Sequence, residues 1–300
     1  MTSQQSREYY AELRKNPAFG ATGFSLDDLR TGMATRHEPT ISGVRCQPTK
    51  IGDLPGEWVL ANSADPDLRL LYLHGGGHVS GSSAFYLAMA AHISLAAGCA
   101  VLLPDYRLAP EHRFPAALED CLRAYEWITA NGPFNPAPVS SIFIGGDSAG
   151  GNLTLATLLA LRDRSLPLPQ GGIALSPYAD LTLSGDSLRS EAETDPIMHP
   201  KCLPTFVDLY LGGADPRNPL ISPIFGDYRG IPPLLIQAGE YEIIRDDSVR
   251  VAAKAQADGV EVQLEIWSGM FHVFQSHEPL LPEAREAIAH IGEFIRRLAR

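Results

Sequence analysis

Within Gly146-Asp147-Ser148-Ala149-Gly150 a serine stands among small residues, the only G-x-S-x-G of the chain. An apolar run at 141–144 precedes it and a helical pattern at 149–162 follows it. A strand-to-helix reversal this tight strains its central residue and thrusts the hydroxyl above the sheet. It also turns the next N–H, that of Ala149, toward the same space. The chemistry available to such a serine is nucleophilic attack on a carbonyl. A glycine-rich turn whose serine only caps a helix would carry the same letters, but the strand before and the helix after favour the nucleophile. A second group, His74-Gly75-Gly76-Gly77, follows the run at 68–73. Its glycines leave backbone N–H groups uncovered, suited to a developing oxyanion. No G-K-[ST] follows and no G-x-G-x-x-G is formed, which disfavours a phosphate cradle.

A serine nucleophile needs a base, and the base needs an orienting acid. After Ser148 the histidines are His199, His272, His277 and His290. His272 occupies a short loop directly after the last apolar run, where a base would reach the sheet edge that carries Ser148. His199 lies in an irregular stretch, His290 lies mid-helix, and His277 is the alternative base. The acid is expected after the run at 234–238, in Gly239-Glu240-Tyr241-Glu242-Ile243-Ile244-Arg245-Asp246-Asp247. Asp246 and Asp247 fit the first turn of the next helix, where the dipole favours acids. Glu240 and Glu242 lie nearest the strand end, and their order does not separate them.

The elements that must position these residues follow from alternating patterns. Buried strands are expected at 68–73 and 99–103, and further strands at 141–144, 172–176, 234–238 and 262–267. Helices are expected at 85–97, 115–130, 149–162, 246–258 and 282–298. Such alternation implies an α/β fold, a mostly parallel central sheet flanked by helices. The run at 57–61, set off from 68–73 by turn residues, reads as an antiparallel hairpin with it at one edge. Residues 1–45 and 180–230 break the alternation. Insertions in an α/β domain usually cover the carboxyl ends of the strands, so both read as cap elements on one domain spanning 1–300, with a core at about 46–179 and 231–300.

The chain has 300 residues, 45% of them hydrophobic and 20% charged, a globular composition far from that of disordered chains. With 24 Lys and Arg against 35 Asp and Glu the net charge is −11, which gives no general attraction to nucleic acid or anionic membranes. No apolar stretch approaches the ~18 residues of a membrane span, and the start lacks the apolar segment of a signal peptide. The four cysteines, Cys46, Cys99, Cys121 and Cys202, form no C-x-x-C pair. They point to neither a metal site nor a disulfide framework, and to reduced thiols in a cytoplasmic protein.

Taken together, the residues resemble the hormone-sensitive-lipase-like group of α/β-hydrolases, the bacterial family IV esterases, over roughly residues 55–298. The resemblance rests on His74–Gly77, Asp105-Tyr106-Arg107-Leu108-Ala109-Pro110-Glu111, Phe114-Pro115-Ala116-Ala117, the stretch from Gly146 to Gly151, Asp195-Pro196 and Gly269-Met270-Phe271-His272. It implies an α/β-hydrolase fold with a helical cap and a cofactor-free, metal-free serine carboxylesterase acting on short- to medium-chain acyl esters. Ser148 would be the nucleophile, His272 the base, and the N–H groups of Gly76, Gly77 and Ala149 the oxyanion hole. Glu242 takes the acid position, where the family usually has an aspartate. His78 stands where the family often has an aromatic residue, facing either the substrate pocket or solvent. Arg107 and Glu111 read as a buried pair bracing the loops, and Leu203, Phe206 and Tyr210 as walls for the acyl chain. The partners implied are a small-molecule ester and, through the last strand and helix, a second copy of the chain. Two rival classes share the scaffold: an amide, N-acetyl or lactone hydrolase on the same triad, and a ligand receptor such as the related plant gibberellin receptors. The receptors lose the catalytic histidine, whereas His272 is present here.

Overall fold

Apolar runs that do not alternate with polar residues cannot lie with one face in water, so they must be covered on both sides. The structure, a computed structural model describing residues 2–15 and 25–299, shows this arrangement. The strands are β1 (Val44–Ile51), β2 (Leu54–Ala61), β3 (Asp65–Leu73), β4 (Cys99–Pro104), β5 (Ser141–Asp147), β6 (Gly171–Leu175), β7 (Leu234–Gly239) and β8 (Val262–Trp267). They form one sheet in the order β1-β2-β4-β3-β5-β6-β7-β8. The β1–β2 and β2–β4 pairings are antiparallel and the other pairings are parallel. The helices are α1 (Gln4–Leu13), α2 (Leu26–Met33), α3 (Ser83–Ala97), α4 (Ala116–Ala130), α5 (Ala149–Asp163), α6 (Ser187–Ser190), α7 (Leu203–Leu211), α8 (Arg245–Ala257) and α9 (Pro282–Leu298).

Successive side chains of a strand point to opposite faces, and the core divides accordingly. Leu70 and Tyr72 of β3, with Phe143 of β5, pack against α3 and α9, while Leu71, Leu73 and Ile144 pack against α4 and α5. A third cluster lies apart from both sheet faces. There Leu203, Phe206 and Tyr210 of α7 meet Tyr178, Ile243 and Ile244, with Leu26 and Leu29 of α2 against them.

Three expectations change. The run at 57–61 belongs to β2, which pairs with β1 and β4 and not with β3. The hairpin is β1–β2, closed by a two-residue turn in which Gly52 has φ +66°, a conformation glycine adopts without steric cost. β1 starts inside the stretch expected to hold no strand. The end of the 180–230 insertion also returns to the core, since Ile224 and Tyr228 pack in the cluster shared with α5 and α8. Of the first cap stretch, residues 1 and 16–24 lie outside the described residues.

Candidate active site

At the carboxyl end of β5 the chain reverses into α5 within one residue. Ser148 has φ 53° and ψ −118°, a conformation costly for a non-glycine residue. The neighbouring glycines make the turn sterically feasible. A Cβ on Gly146 or on Gly150 would collide with the Leu73 carbonyl oxygen. The Ser148 N–H donates to the Leu175 carbonyl at 2.8 Å and its carbonyl accepts from the Tyr178 N–H at 3.0 Å. The elbow is thereby tied to β6 and the loop after it. Asn152 of α5 donates to the Tyr178 and Ile221 carbonyls at 2.7 and 2.8 Å, drawing the insertion onto the same corner.

The glycine loop after β3 is equally constrained. Gly76 and Gly77 have φ +115° and +64°. The Gly76 carbonyl accepts from the Val79 and Ser80 N–H groups and the Ser80 hydroxyl, so the loop folds back on itself. The Gly75 N–H is occupied by the Tyr86 hydroxyl at 3.0 Å. Among the described residues nothing accepts from the N–H groups of Gly76, Gly77 or Ala149, and at a helix start such donors suit an anion. His74 stacks on Tyr106 at 4.2 Å and braces the loop from behind. Asp147 is buried and accepts from the hydroxyls of Tyr72 and Tyr86 at 2.9 and 2.8 Å. Burial pushes its carboxyl up to about 6, against the pull of both tyrosines.

His272 lies in the loop after β8, with Nδ1 3.1 Å from Glu242 Oε2. Glu242 is fully buried after β7. Its other oxygen accepts from the Ser176 hydroxyl at 2.7 Å and from the Gly239 N–H. Ser176 also accepts from the Val273 N–H at 3.2 Å, so one hydroxyl touches the acid and the residue after the imidazole. Burial alone would lower the His272 pKa. The hydrogen bond and charge of Glu242, with the charges of Asp195 and Asp147, outweigh it and leave the value raised.

Glu240 instead accepts from the Ser268 hydroxyl and Gly269 N–H at 2.9 and 2.8 Å. Asp246 accepts from the Ser187 N–H at 2.9 Å. Asp247 is buried on the N–H groups of Ala179 and Asp180. His199 caps a 3₁₀ turn, and His290 lies 2.9 Å from Glu265. His277 lies 3.1 Å from the Tyr9 hydroxyl, with burial pushing it down to about 4.

A cavity of about 360 Å³ opens onto this corner, lined by Ser148, His272, Gly76 and Gly77 together. Leu203 and Phe206 wall it, as do Ile197, Met198 and Ile244; Phe85 and Met89 of α3 close the opposite side. His78 and Tyr210 do not line it. Their rings stack on each other at 3.8 Å, fully enclosed, because His78 follows two glycines of positive φ and turns beneath α7. Burial, together with His74, pushes the His78 imidazole down to about 3. Nor do Arg107 and Glu111 pair with each other. Arg107 binds the buried Asp120 at 2.9 Å, whereas Glu111 takes Arg30 of α2 at 2.6 Å. A larger groove, about 600 Å³, lies away from the serine between α4 and the end of α5, edged by Arg107, Arg123 and Arg164. Among the described residues no three His, Cys, Asp or Glu side chains could hold a metal ion, and no helix is long and apolar enough to cross a membrane.

Sequence reasoning passed over Ser176 and gave Asp195 no role. Ser176 stands at the carboxyl end of β6, the strand between β5 and β7, and that position is the signal that could have marked it.

Known proteins share both the sequence and the shape. A family profile described as alpha/beta hydrolase fold matches residues 70–276. An acetyl-hydrolase of Streptomyces hygroscopicus is 40% identical over 246 residues, 82% of this chain and 81% of its own length. The crystal structure of EstE5 soaked with p-nitrophenyl butyrate superposes with a TM-score of 0.92 at 40% identity, covering 99% of each chain. That of an esterase from the bacterial hormone-sensitive lipase family superposes at 0.90 and 39% identity over the whole of both chains.

Proposed function

The chain belongs to the hormone-sensitive-lipase-like family of α/β-hydrolase-fold esterases and is a carboxylic ester hydrolase, and on that premise we propose that it works through a Ser148–His272–Glu242 triad. The observation that carries this reading is the buried 3.1 Å contact between His272 Nδ1 and Glu242, on a cavity that His272 shares with Ser148. With Nδ1 held by the acid, Nε2 is the nitrogen left to take the serine proton. Ser148 Oγ attacks the ester carbonyl while His272 accepts its proton. The N–H groups of Gly76, Gly77 and Ala149 receive the oxyanion. The tetrahedral intermediate collapses, His272 protonates the departing alkoxide, and the alcohol leaves an acyl-enzyme. Water, deprotonated by His272, then releases the acid and restores Ser148.

The small, apolar cavity supports uncharged esters with short to medium acyl chains, and the acetyl-hydrolase relative favours the shortest of them. The insertion at 180–230 and α2 act as the cap. Four unpaired cysteines support a reducing, cytoplasmic setting. The open edge of β8, where Ile266 is exposed, supports a homodimer. Initial rates on p-nitrophenyl esters from acetyl to palmitoyl test the central reading. Rates peak at short chains in the wild type, and Ser148→Ala lowers turnover by at least about 10³-fold. Glu242→Gln costs about 10³–10⁴-fold and Glu240→Gln leaves rates unchanged. Wild-type-like turnover in Ser148→Ala sinks the serine mechanism, and a reversed ranking of the two glutamates moves the acid.

A further inference from the structure

Asp195 lies in the insertion between β6 and β7, is 8% exposed, and among the described residues pairs with no arginine or lysine. One carboxylate oxygen accepts from the N–H groups of Ile197 and Met198 at 2.8 and 3.0 Å. By itself that is an ordinary aspartate turn. The second oxygen leaves the turn and accepts from the Ile243 N–H at 2.9 Å, across 48 residues of sequence. Ile197 and Met198 wall the cavity, while Ile243 is the residue directly after Glu242. A single buried carboxylate therefore holds the backbone of the substrate wall and the backbone that carries the acid. A buried charge accepting three amide hydrogens is a strong and directional anchor. Burial pushes the Asp195 carboxyl up to about 6, against its three amide hydrogens; above that pH its negative charge acts on His272 together with those of Glu242 and Asp147. Glu191 of the same segment pairs with Arg245 at 3.3 Å.

We propose that Asp195 is a positioning residue for ester hydrolysis: it couples the wall that receives the acyl group to the placement of Glu242, and its charge helps His272 carry the serine proton. The inference rests on the reading of Ser148, His272 and Glu242 given above. Asparagine in its place keeps an acceptor for the Ile197–Met198 turn, but its amide meets the Ile243 N–H donor to donor and the charge is gone. Alanine removes both links.

The test uses the full-length enzyme, p-nitrophenyl butyrate and octanoate, and active sites counted by a p-nitrophenyl phosphonate that phosphonylates the serine irreversibly, releasing p-nitrophenolate. In Asp195→Asn, kcat per titrated site falls about tenfold with KM within about twofold. The acid limb of the pH–rate profile moves to lower pH, because the imidazolium has lost a neighbouring negative charge. In Asp195→Ala, KM also rises and the preference between butyrate and octanoate narrows. Asp195→Asn with wild-type kcat per site and an unmoved acid limb overturns the proposal. So does a loss confined to the number of titratable sites, since a purely structural aspartate would change only the folded fraction. Should Asp195→Ala fail to fold, Asp195→Asn decides alone. Ser148→Ala and Glu242→Gln run in the same assay separate the two readings. If they lose turnover while Asp195→Asn does not, only the role of Asp195 fails; if they keep it, the triad itself fails.

Discussion

A serine proton can be taken only by a neutral imidazole, so on the proposed triad the protonation of His272 decides where on the pH scale turnover begins. Its raised value places the acid limb of kcat/KM above the ordinary imidazole value of about 6.5. In Glu242→Gln that limb shifts downward, which rate measurements across pH 5–9 would show. The same group contributes stability that is fully present below its unfolded pKa and is lost as pH rises through the raised folded one. Activity and this contribution to stability therefore change in opposite directions over one window. Asp147 carries the same sign. Its carboxyl, pushed up to about 6 by burial, is most stabilising when protonated, and ionising it costs stability as pH rises through that value. Asp147→Asn is expected to raise Tm by a few degrees at pH 8 and to change it little at pH 4, as calorimetry at the two values would show.

Elements, more than single side chains, explain what the sequence made legible. The central strands were readable because burial on both faces leaves runs such as 99–103 without polar interruption. β1 was not, because Val44–Ile51 is a partly exposed edge carrying Pro48 and Lys50. The partner of β2 was hidden as well, since periodicity reports which face is buried and says nothing of which strand lies alongside. The site divides in the same way. Ser148 and the glycine loop announce themselves through local steric demands. Glu240 and Glu242 stand two residues apart on one loop, and only the fold brings Glu242 to His272. Ser176 and Asp195 act on partners 66 and 48 residues away, a relation that no local pattern carries. The steric argument for the elbow is itself testable. Gly150→Ala would drive a Cβ into the Leu73 carbonyl, and overpacking of this kind costs about 1–3 kcal/mol or more. Its Tm should fall by several degrees, with turnover falling further because the Ala149 N–H moves; an unchanged melting curve and rate contradict the close approach.

The whole molecule bears a net charge of −11, while among the described residues the cavity wall contains no lysine or arginine. An ester with a free carboxylate on its acyl chain is repelled at long range and finds no counter-charge on arrival. Its kcat/KM should lie at least about tenfold below that of the uncharged isostere, and added salt should narrow the gap. Equal rates at low salt contradict this. The sheet order also has a temporal meaning. Ser148 rises from β5 near the middle of the sheet, and Glu242 and His272 follow β7 and β8 toward one edge. A chain growing from its amino end thus makes the proposed nucleophile well before the proposed acid and makes the proposed base last. On the proposed triad, polypeptides broken off before His272 lack the base for that serine, so truncated chains are expected to be inert as hydrolases.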